Sequence, residues 1–390
     1  MDKWNMVKLS DVFTLQMGKT PSRNNPDYWN GNHKWLSIAD FGMNGKYINK
    51  TKECITDAAV AESGIKETPH NTVVMSFKLS IGKTAITVKD IFTNEAIMSF
   101  IDKGTYPIDV NYIYHLFSGK DWSKGTNKAV MGTTLNKATL SQTTIPLPPI
   151  ESQYQIADNL EKVSKLIDIC NTILNKLDIL VKSRFVEMFG DIVYNTKQWK
   201  TYVFSEIATS RLGKMLDTKK QTGNYSFPYL ANYNVQWFRF ELDNLNQMDF
   251  NEKDQVEFAL EEGDLLVCEG GEIGRCAIWH NEVSPCFFQK ALHRVRCKKD
   301  IIIPDYLAWW FRFNCDNNGF SEIEGAKATI AHLPGAKLKK LNLVVPSLDL
   351  QKQFADFVAQ TDKSKYCLVG EQILGKAEML IKILKQEYFG

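Results

Sequence analysis

Apolar residues at Ile156, Leu160, Val163, Ile167, Cys170, Leu174, Leu177, Val181 and Met188 recur in alternating steps of four and three, interrupted only at Arg184. That spacing predicts one long helix over Ser152–Phe189, with a single apolar seam that a partner helix must cover. A second candidate runs from Leu350 to Phe389, with Phe354, Phe357, Leu368, Ile373, Leu380 and Leu384 as its stripe. Gly370 and Gly375 lie inside it, each about 1 kcal/mol worse than alanine, so this helix is expected to hold only when paired antiparallel with the first. Elsewhere the texture changes. Short strand-like runs such as Thr72–Met75 and Asp264–Val267, bounded by Gly, Asn and Pro, outnumber helical patterns, and shorter helices are predicted near Val110–Phe117 and Asp305–Phe311.

The pattern occurs twice. Trp4, Leu9-Ser10-Asp11-Val12 and Gly18-Lys19 match Trp199, Phe204-Ser205-Glu206-Ile207 and Gly213-Lys214 at an offset of 195, and Val73-Val74-Met75 matches Leu265-Leu266-Val267 at 192. Pro148 and Pro346, which precede the two helices, are 198 apart, and the helices end alike in EMFG and EYFG. Drifts this small are loop insertions within a shared fold. The expected fold class is α+β: two mixed α/β domains, 1–149 and 191–347, separated by helical regions 150–190 and 348–390 that form an antiparallel coiled coil, the whole a pseudo-twofold internal repeat. A helix of about 38 residues is a rod of roughly 57 Å, on the order of 17 base pairs of duplex.

A chain of 390 residues, 44% of them hydrophobic, can bury several cores. The start, MDKWNMVKLSDVF, lacks the apolar region of a secretory signal, and no apolar run approaches a membrane span, so a cytoplasmic location away from membranes is expected. The eight cysteines show no C-x-x-C pair, which points to reduced structural thiols without bound metal. A net charge of +2, from 47 basic and 45 acidic residues, does not by itself mark a nucleic-acid binder; were DNA the partner, other subunits would have to add charge.

Catalytic signatures are missing. Gly18-Lys19-Thr20 and Gly82-Lys83-Thr84 lack the upstream glycine of a phosphate loop, where Phe13 and Phe77 stand instead. Asn25-Pro26-Asp27-Tyr28 is near the base-gripping motif of amino-methylating enzymes, but Asp27 replaces its second proline, and no glycine-rich cofactor loop precedes it. Six scattered histidines form no HExxH. The chain reads as a recogniser, not a catalyst, and without cofactors of its own.

The run MGKTPSRNNPDYWNGNHKWLSIAD, Met17–Asp40, resembles the opening of a target-recognition domain from the specificity subunit of type I restriction-modification enzymes. GKMLDTKKQTG (Gly213–Gly223), LANYNVQWFRF (Leu230–Phe240) and GDLLVCEGGEIGRCAIW (Gly263–Trp279) resemble the second such domain, and Pro-Pro-x-x-x-Gln before the first long helix, with its counterpart Pro346–Gln351, completes the pattern. The resemblance implies a non-catalytic subunit reading a bipartite double-stranded DNA target, one half-site per domain, with the gap set by the helices. It further implies docking of two methyltransferase subunits and two restriction-translocase subunits, to which S-adenosylmethionine, ATP and Mg2+ belong. A related system with a fused restriction-modification partner, and a coiled-coil scaffold that does not touch DNA, are the alternatives.

Loop cations and hydroxyls are the candidate DNA contacts. In the first half these are Lys19, Thr20, Ser22, Arg23, then Lys78, Ser80 and Lys83; in the second, Lys214, Lys219, Lys220, Gln236, Arg239 and Arg275. Lys128, Lys327 and His332, in segments ahead of the helices, are placed to clamp backbone phosphate. Each is also what a solvated loop residue looks like.

Overall fold

Five helices carry the packing: α1 (Val110–Gly119), α2 (Ile150–Phe189), α3 (Pro304–Asp316), α4 (Leu348–Val369) and α5 (Leu374–Phe389). This computed structural model describes residues 4–78, 80–122, 127–129, 132–321, 332–369 and 373–389. The chain divides into two units, Met1–Thr172 with Leu368–Gly390, and Ile173–Cys367, the boundary falling within α2.

Along α2 the expected seam is the protected one. Ile156, Leu160, Cys170, Val181 and Met188 are buried and Val163, Ile167, Leu174 and Leu177 half-buried, while most residues between them are exposed. At the Arg184 interruption, the guanidinium pairs with Glu187 at 2.9 Å and lies 5.8 Å from the Phe357 ring centroid. The neighbouring Phe185 is buried in place of an apolar residue at 184. All eight cysteines are free thiols.

In the second unit α4 runs antiparallel to the end of α2. Phe354 meets Phe185 and Phe189 at 5.3 and 5.4 Å between ring centroids, Phe357 meets Arg184, and Lys365 pairs with Asp178 at 2.7 Å. One residue number rises as the other falls. In the first unit the start of α2 shares a core with α5, where Ile156 and Leu160 cluster with Ile381, Leu384 and Phe389. The ends of the two stalk helices behave alike: Phe389 packs on Tyr112 at 5.7 Å, and Phe189 on Tyr306 at 5.0 Å.

The second stripe departs from expectation in its last third. Ile373 and Leu380 are exposed, at 38% and 45%, and the covered positions are Leu374 and Ala377, with Ile381 and Leu384 partly covered. Phe354, Phe357 and Thr361 follow one heptad phase in α4, whereas 374, 377, 381 and 384 follow another in α5. The expected Ile373 and Leu380 each fall one residue before the covered Leu374 and Ile381, and one helical residue turns a side chain by about 100°, off the apolar face. Gly370 lies outside the described residues.

The repeat extends to sheet topology. In the first unit, strands Phe13–Met17, Ile97–Asp102, Val73–Ser76 and Thr84–Thr87 are consecutive neighbours in a five-stranded sheet; in the second, Ala208–Leu212, Leu292–Cys297, Leu265–Cys268 and Cys276–Ile278 form a four-stranded sheet in the same order. Each unit adds a three-stranded sheet with Trp29–Leu36 or Ser226–Leu230 at its centre, antiparallel to one neighbour and parallel to the other. A two-stranded ladder, Met6–Lys8 with Thr144–Pro146 or Lys200–Val203 with Asn342–Val345, delivers the chain to the helix start. Among the described residues no helix is long and apolar enough to cross a membrane.

The glycine of the first GKT tripeptide has a packing reason. A Cβ on Gly18 would lie 2.2 Å from Thr93 O, and one on Gly213 would lie 2.3 Å from Gln289 O. Both contacts are to backbone that cannot rotate aside. Gly18→Ala and Gly213→Ala are therefore each expected to destabilise by about 1–3 kcal/mol through overpacking, read as a lower urea midpoint. Phe185→Ala should cost about 3–5 kcal/mol, whereas Val186→Ala on the exposed side of α2 should stay within about 0.5 kcal/mol; equal midpoints for the two would contradict the seam.

Candidate nucleic-acid interface

In the first unit the loop after strand Phe13–Met17 is tied back by its own backbone, with Gly18 N donating to Ile97 O at 3.1 Å and Lys19 N to Thr93 O at 2.8 Å. Its side chains are then engaged one by one. Lys19 Nζ donates to Ser63 O, and Thr20 Oγ1 to Glu95. Arg23 forms a fork with Glu53, one arm at 2.9 Å, and its guanidinium lies 3.8 Å from the Trp29 ring centroid. That hydrogen-bonded fork lowers the Glu53 carboxyl below its ordinary range and raises the Arg23 guanidinium. Ser22 is exposed and its carbonyl accepts from Trp29 Nε1 at 3.2 Å.

Lys78, Ser80 and Lys83 share the turn after strand Val73–Ser76. Ser76 Oγ donates to Ser80 O, Lys83 N donates to Ser76 Oγ at 3.1 Å, and Lys78 Nζ lies 5.2 Å from the Phe77 ring. Ser80 and Lys83 are exposed. Lys128 falls on strand Asn127–Ala129.

In the second unit Lys214 Nζ pairs with Asp254 at 2.7 Å, also reaches Asp249 O, and lies 5.1 Å from the Phe250 ring. It lines a cleft of about 910 Å³ with Met215, Lys219, Thr222, Tyr225 and Asp254. The loop that walls this cleft hangs on Asp249, whose carboxylate accepts from Thr222 N and Oγ1, from Gly223 N at 2.9 Å and from Tyr225 N at 3.3 Å. Those donors, the Thr222 backbone first, lower the Asp249 carboxyl. Lys219 is exposed, and Lys220 ends the short helical turn Thr218–Lys220.

Gln236, Arg275 and His332 converge on one turn. Arg275 Nη2 donates to Asn232 O and Oδ1 at 3.1 and 2.9 Å, Asn232 Nδ2 to Gly270 O at 3.0 Å, and Gln236 Nε2 to Tyr233 O at 2.9 Å. His332, exposed, bridges Gly270 through its backbone. Arg239 faces Gln236 across a hairpin and pairs with Glu241 at 3.2 Å. Positive φ at Gly271 and Gly274, +82° and +77°, makes these two glycines turn formers. Lys327 lies outside the described residues.

Sequence reasoning missed the carboxylates Glu53, Glu95, Asp249 and Asp254 and the stacking Trp29. Their partners are far away in the chain, 75 residues for Thr20 and Glu95, and nothing local marks them. Among the described residues no group of three or more His, Cys, Asp or Glu could hold a metal ion. The arrangement is a set of polar loops, cationic at their tips and already hydrogen-bonded, on two similar sheets.

The family model for the type I restriction modification DNA specificity domain matches this chain twice, at residues 1–179 and 196–374. The MjaIX type I restriction enzyme specificity subunit of Methanocaldococcus jannaschii is 30% identical over 192 residues, 47% of this chain and 44% of that one. The EcoprrI specificity subunit of Escherichia coli is 25% identical over 200 residues, 50% and 48% of the two chains. These matches thus span about half the length of the curated relatives. Among solved structures, the S subunit of a type I restriction-modification system from M. genitalium superposes with a TM-score of 0.59 at 14% identity, over 99% of this chain and 96% of that one. A chain from work on complex assembly and conformational transition of the type I R-M system gives 0.59 at 12% identity, over 100% and 98%. At such identities the likeness is one of fold. With one specificity-domain model fitting both halves in order, and the same sheet order in each, the chain belongs to the specificity subunits of type I restriction-modification systems.

Proposed function

We propose that this chain reads a bipartite target in double-stranded DNA, one half-site through each recognition domain, with the helices holding the gap. The observation that carries this reading is the doubled specificity domain on two sheets of equal strand order. Residues 1–149 and 191–347 are the two readers in this reading, and 150–190 and 348–390 are the helical spacers. Two methyltransferase subunits dock on the helices and two restriction-translocase subunits join them for cleavage; S-adenosylmethionine, ATP and Mg2+ act in those partners.

The loop contacts suggest how reading proceeds. Lys19, Arg23, Lys214 and Arg239 are held on carbonyls and carboxylates, so contact with DNA is an exchange of partners, from Glu or Asp to phosphate or base edge. Such exchange gains little in non-specific binding, because an existing ion pair or hydrogen bond is lost as the one to phosphate forms, and it gains most where base-edge hydrogen bonds replace what was lost. Ser22, Ser80, Lys83, Lys219 and His332, exposed in the free chain, need no such exchange and serve as first phosphate contacts, together with Lys78, Lys128, Lys220 and Lys327. Thr20, Gln236 and Arg275 are half-buried and shape the reading surface. With a net charge of only +2, the affinity is completed by partner subunits.

Co-expression with the cognate methyltransferase subunit, followed by mapping of methylated adenines, tests the reading: paired half-sites at a fixed gap are expected, and the chain alone should transfer no methyl groups. Arg275→Ala, which frees the Asn232 turn, should weaken recognition through one half-site by about 1–3 kcal/mol, roughly 5- to 150-fold; equal losses at both half-sites would contradict one reader per half-site. Deleting the heptad Leu160–Leu166 should change the permitted gap with both half-site sequences intact, or abolish assembly. An active complex with an unchanged gap would remove the helix as spacer.

A further inference from the structure

Each long helical region begins with a buried glutamine that performs the same task. Gln153 Oε1 accepts from Asp109 N at 2.9 Å, and its Nε2 donates to Pro107 O at 3.1 Å and Pro148 O at 2.9 Å. Gln351 Oε1 accepts from Ile303 N at 3.0 Å, and its Nε2 donates to Ile301 O at 3.0 Å and Pro346 O at 2.8 Å. Both side chains are fully buried. The two sets correspond atom for atom, and only one amide orientation satisfies them, since two carbonyls face the nitrogen and one N–H faces the oxygen.

The three partners come from two different places. Pro148 and Pro346 lie in the lead-in to the stalk helix, whereas Pro107 with Asp109, and Ile301 with Ile303, form the lead-in to α1 and α3 of the recognition domain. One amide therefore staples the first turn of the stalk to the domain that the stalk carries. A tyrosine adds a second staple at the same junction, Tyr112 Oη to Pro146 O at 2.8 Å and Tyr306 Oη to Val344 O at 2.7 Å. The halves have diverged around these groups. The residues three before and three after Tyr112 are Asp109 and His115, against Ile303 and Trp309 around Tyr306. Glutamine and tyrosine are the same in both.

We propose that Gln153 and Gln351 are positioning residues that fix the angle between each recognition domain and its helix, and thereby the DNA gap; the inference rests on the bipartite reading above. The lever explains why a single amide matters. A tilt of about 10° at the staple, acting over roughly 20 Å of a domain this size, displaces a reading loop by about 3.5 Å, close to one base-pair step. Asparagine falls one methylene short of the three partners, and glutamate would set a carboxylate oxygen against two carbonyls.

The test is gap tolerance in the complex with the methyltransferase subunit, read from methylated adenines on a library of half-site pairs at every spacing. Gln153→Met keeps the volume and loses all three hydrogen bonds. The expected result is unchanged half-sites with at least a threefold rise in the share of methylation at gaps one base pair longer or shorter. Leu116→Ala, which weakens the same core without touching the staple, should keep the wild-type gap. If Gln153→Met prevents assembly, Tyr112→Phe, which removes one hydroxyl at the junction, is read by the same criterion. A variant complex confined to the wild-type gap, or equal broadening in Leu116→Ala, overturns the proposal. Wild-type complex methylating without paired half-sites overturns instead the reading on which it rests.

Discussion

The apolar seam of α2 must leave water, and most of the architecture answers that requirement. An isolated helix gains too little from its own hydrogen bonds to offset the ordering of its backbone, so the seam from Ile156 to Met188 needs apolar cover along its whole length. Cover comes from α5 over the first part and from α4 over the last, each within its own unit. Phe185 and Phe189 are enclosed by Phe354 of α4 together with Tyr306 and Trp309 of α3.

Duplication supplies the frame, and divergence adapts each copy. In the first unit a turn is fixed to α2 by charge: Lys46 Nζ lies 2.6 Å from Glu161, and the buried His115 lies 3.5 Å from the same carboxylate. Burial, with Lys46 beside it, pushes the imidazole down to about 4, so it is neutral at physiological pH and the full positive charge facing that carboxylate at 2.6 Å is Lys46. In the second unit Trp309 takes the place of His115, and Phe238 stacks on it at 4.6 Å, held at a φ of +62° that phenylalanine adopts at a cost. Arg312 over Trp237, at 4.8 Å, fills the remaining space. The same turn is thus docked by ions in one copy and by rings in the other, which lets each copy vary its surface while the sheet beneath keeps its order.

Loop cations are paired with carboxylates of the same unit, Arg23 with Glu53 and Lys214 with Asp254. A reader whose arginines and lysines are pre-oriented by forks and ring faces loses less side-chain entropy when it binds.

Legible in the chain's own pattern were the long helix to within two residues of its start, the doubling of the domains, and the two shorter helices at Tyr112 and Tyr306. Those features are local or periodic: a three-four alternation, an offset that recurs, a glycine or proline at a boundary. Tertiary structure alone decided that Lys214 answers to Asp254, 40 residues on, and Arg23 to Glu53, 30 residues on. It also decided that Gly18 is glycine because Thr93 O is close, that the stripe of α5 shifts phase after α4, and that the glutamine after Pro148 staples two loops. Periodicity is written in consecutive residues and survives in one dimension. Which carboxylate meets which cation, and which backbone crowds which Cα, depends on how strands from distant parts of the chain are set side by side, and that is fixed only when the cores close.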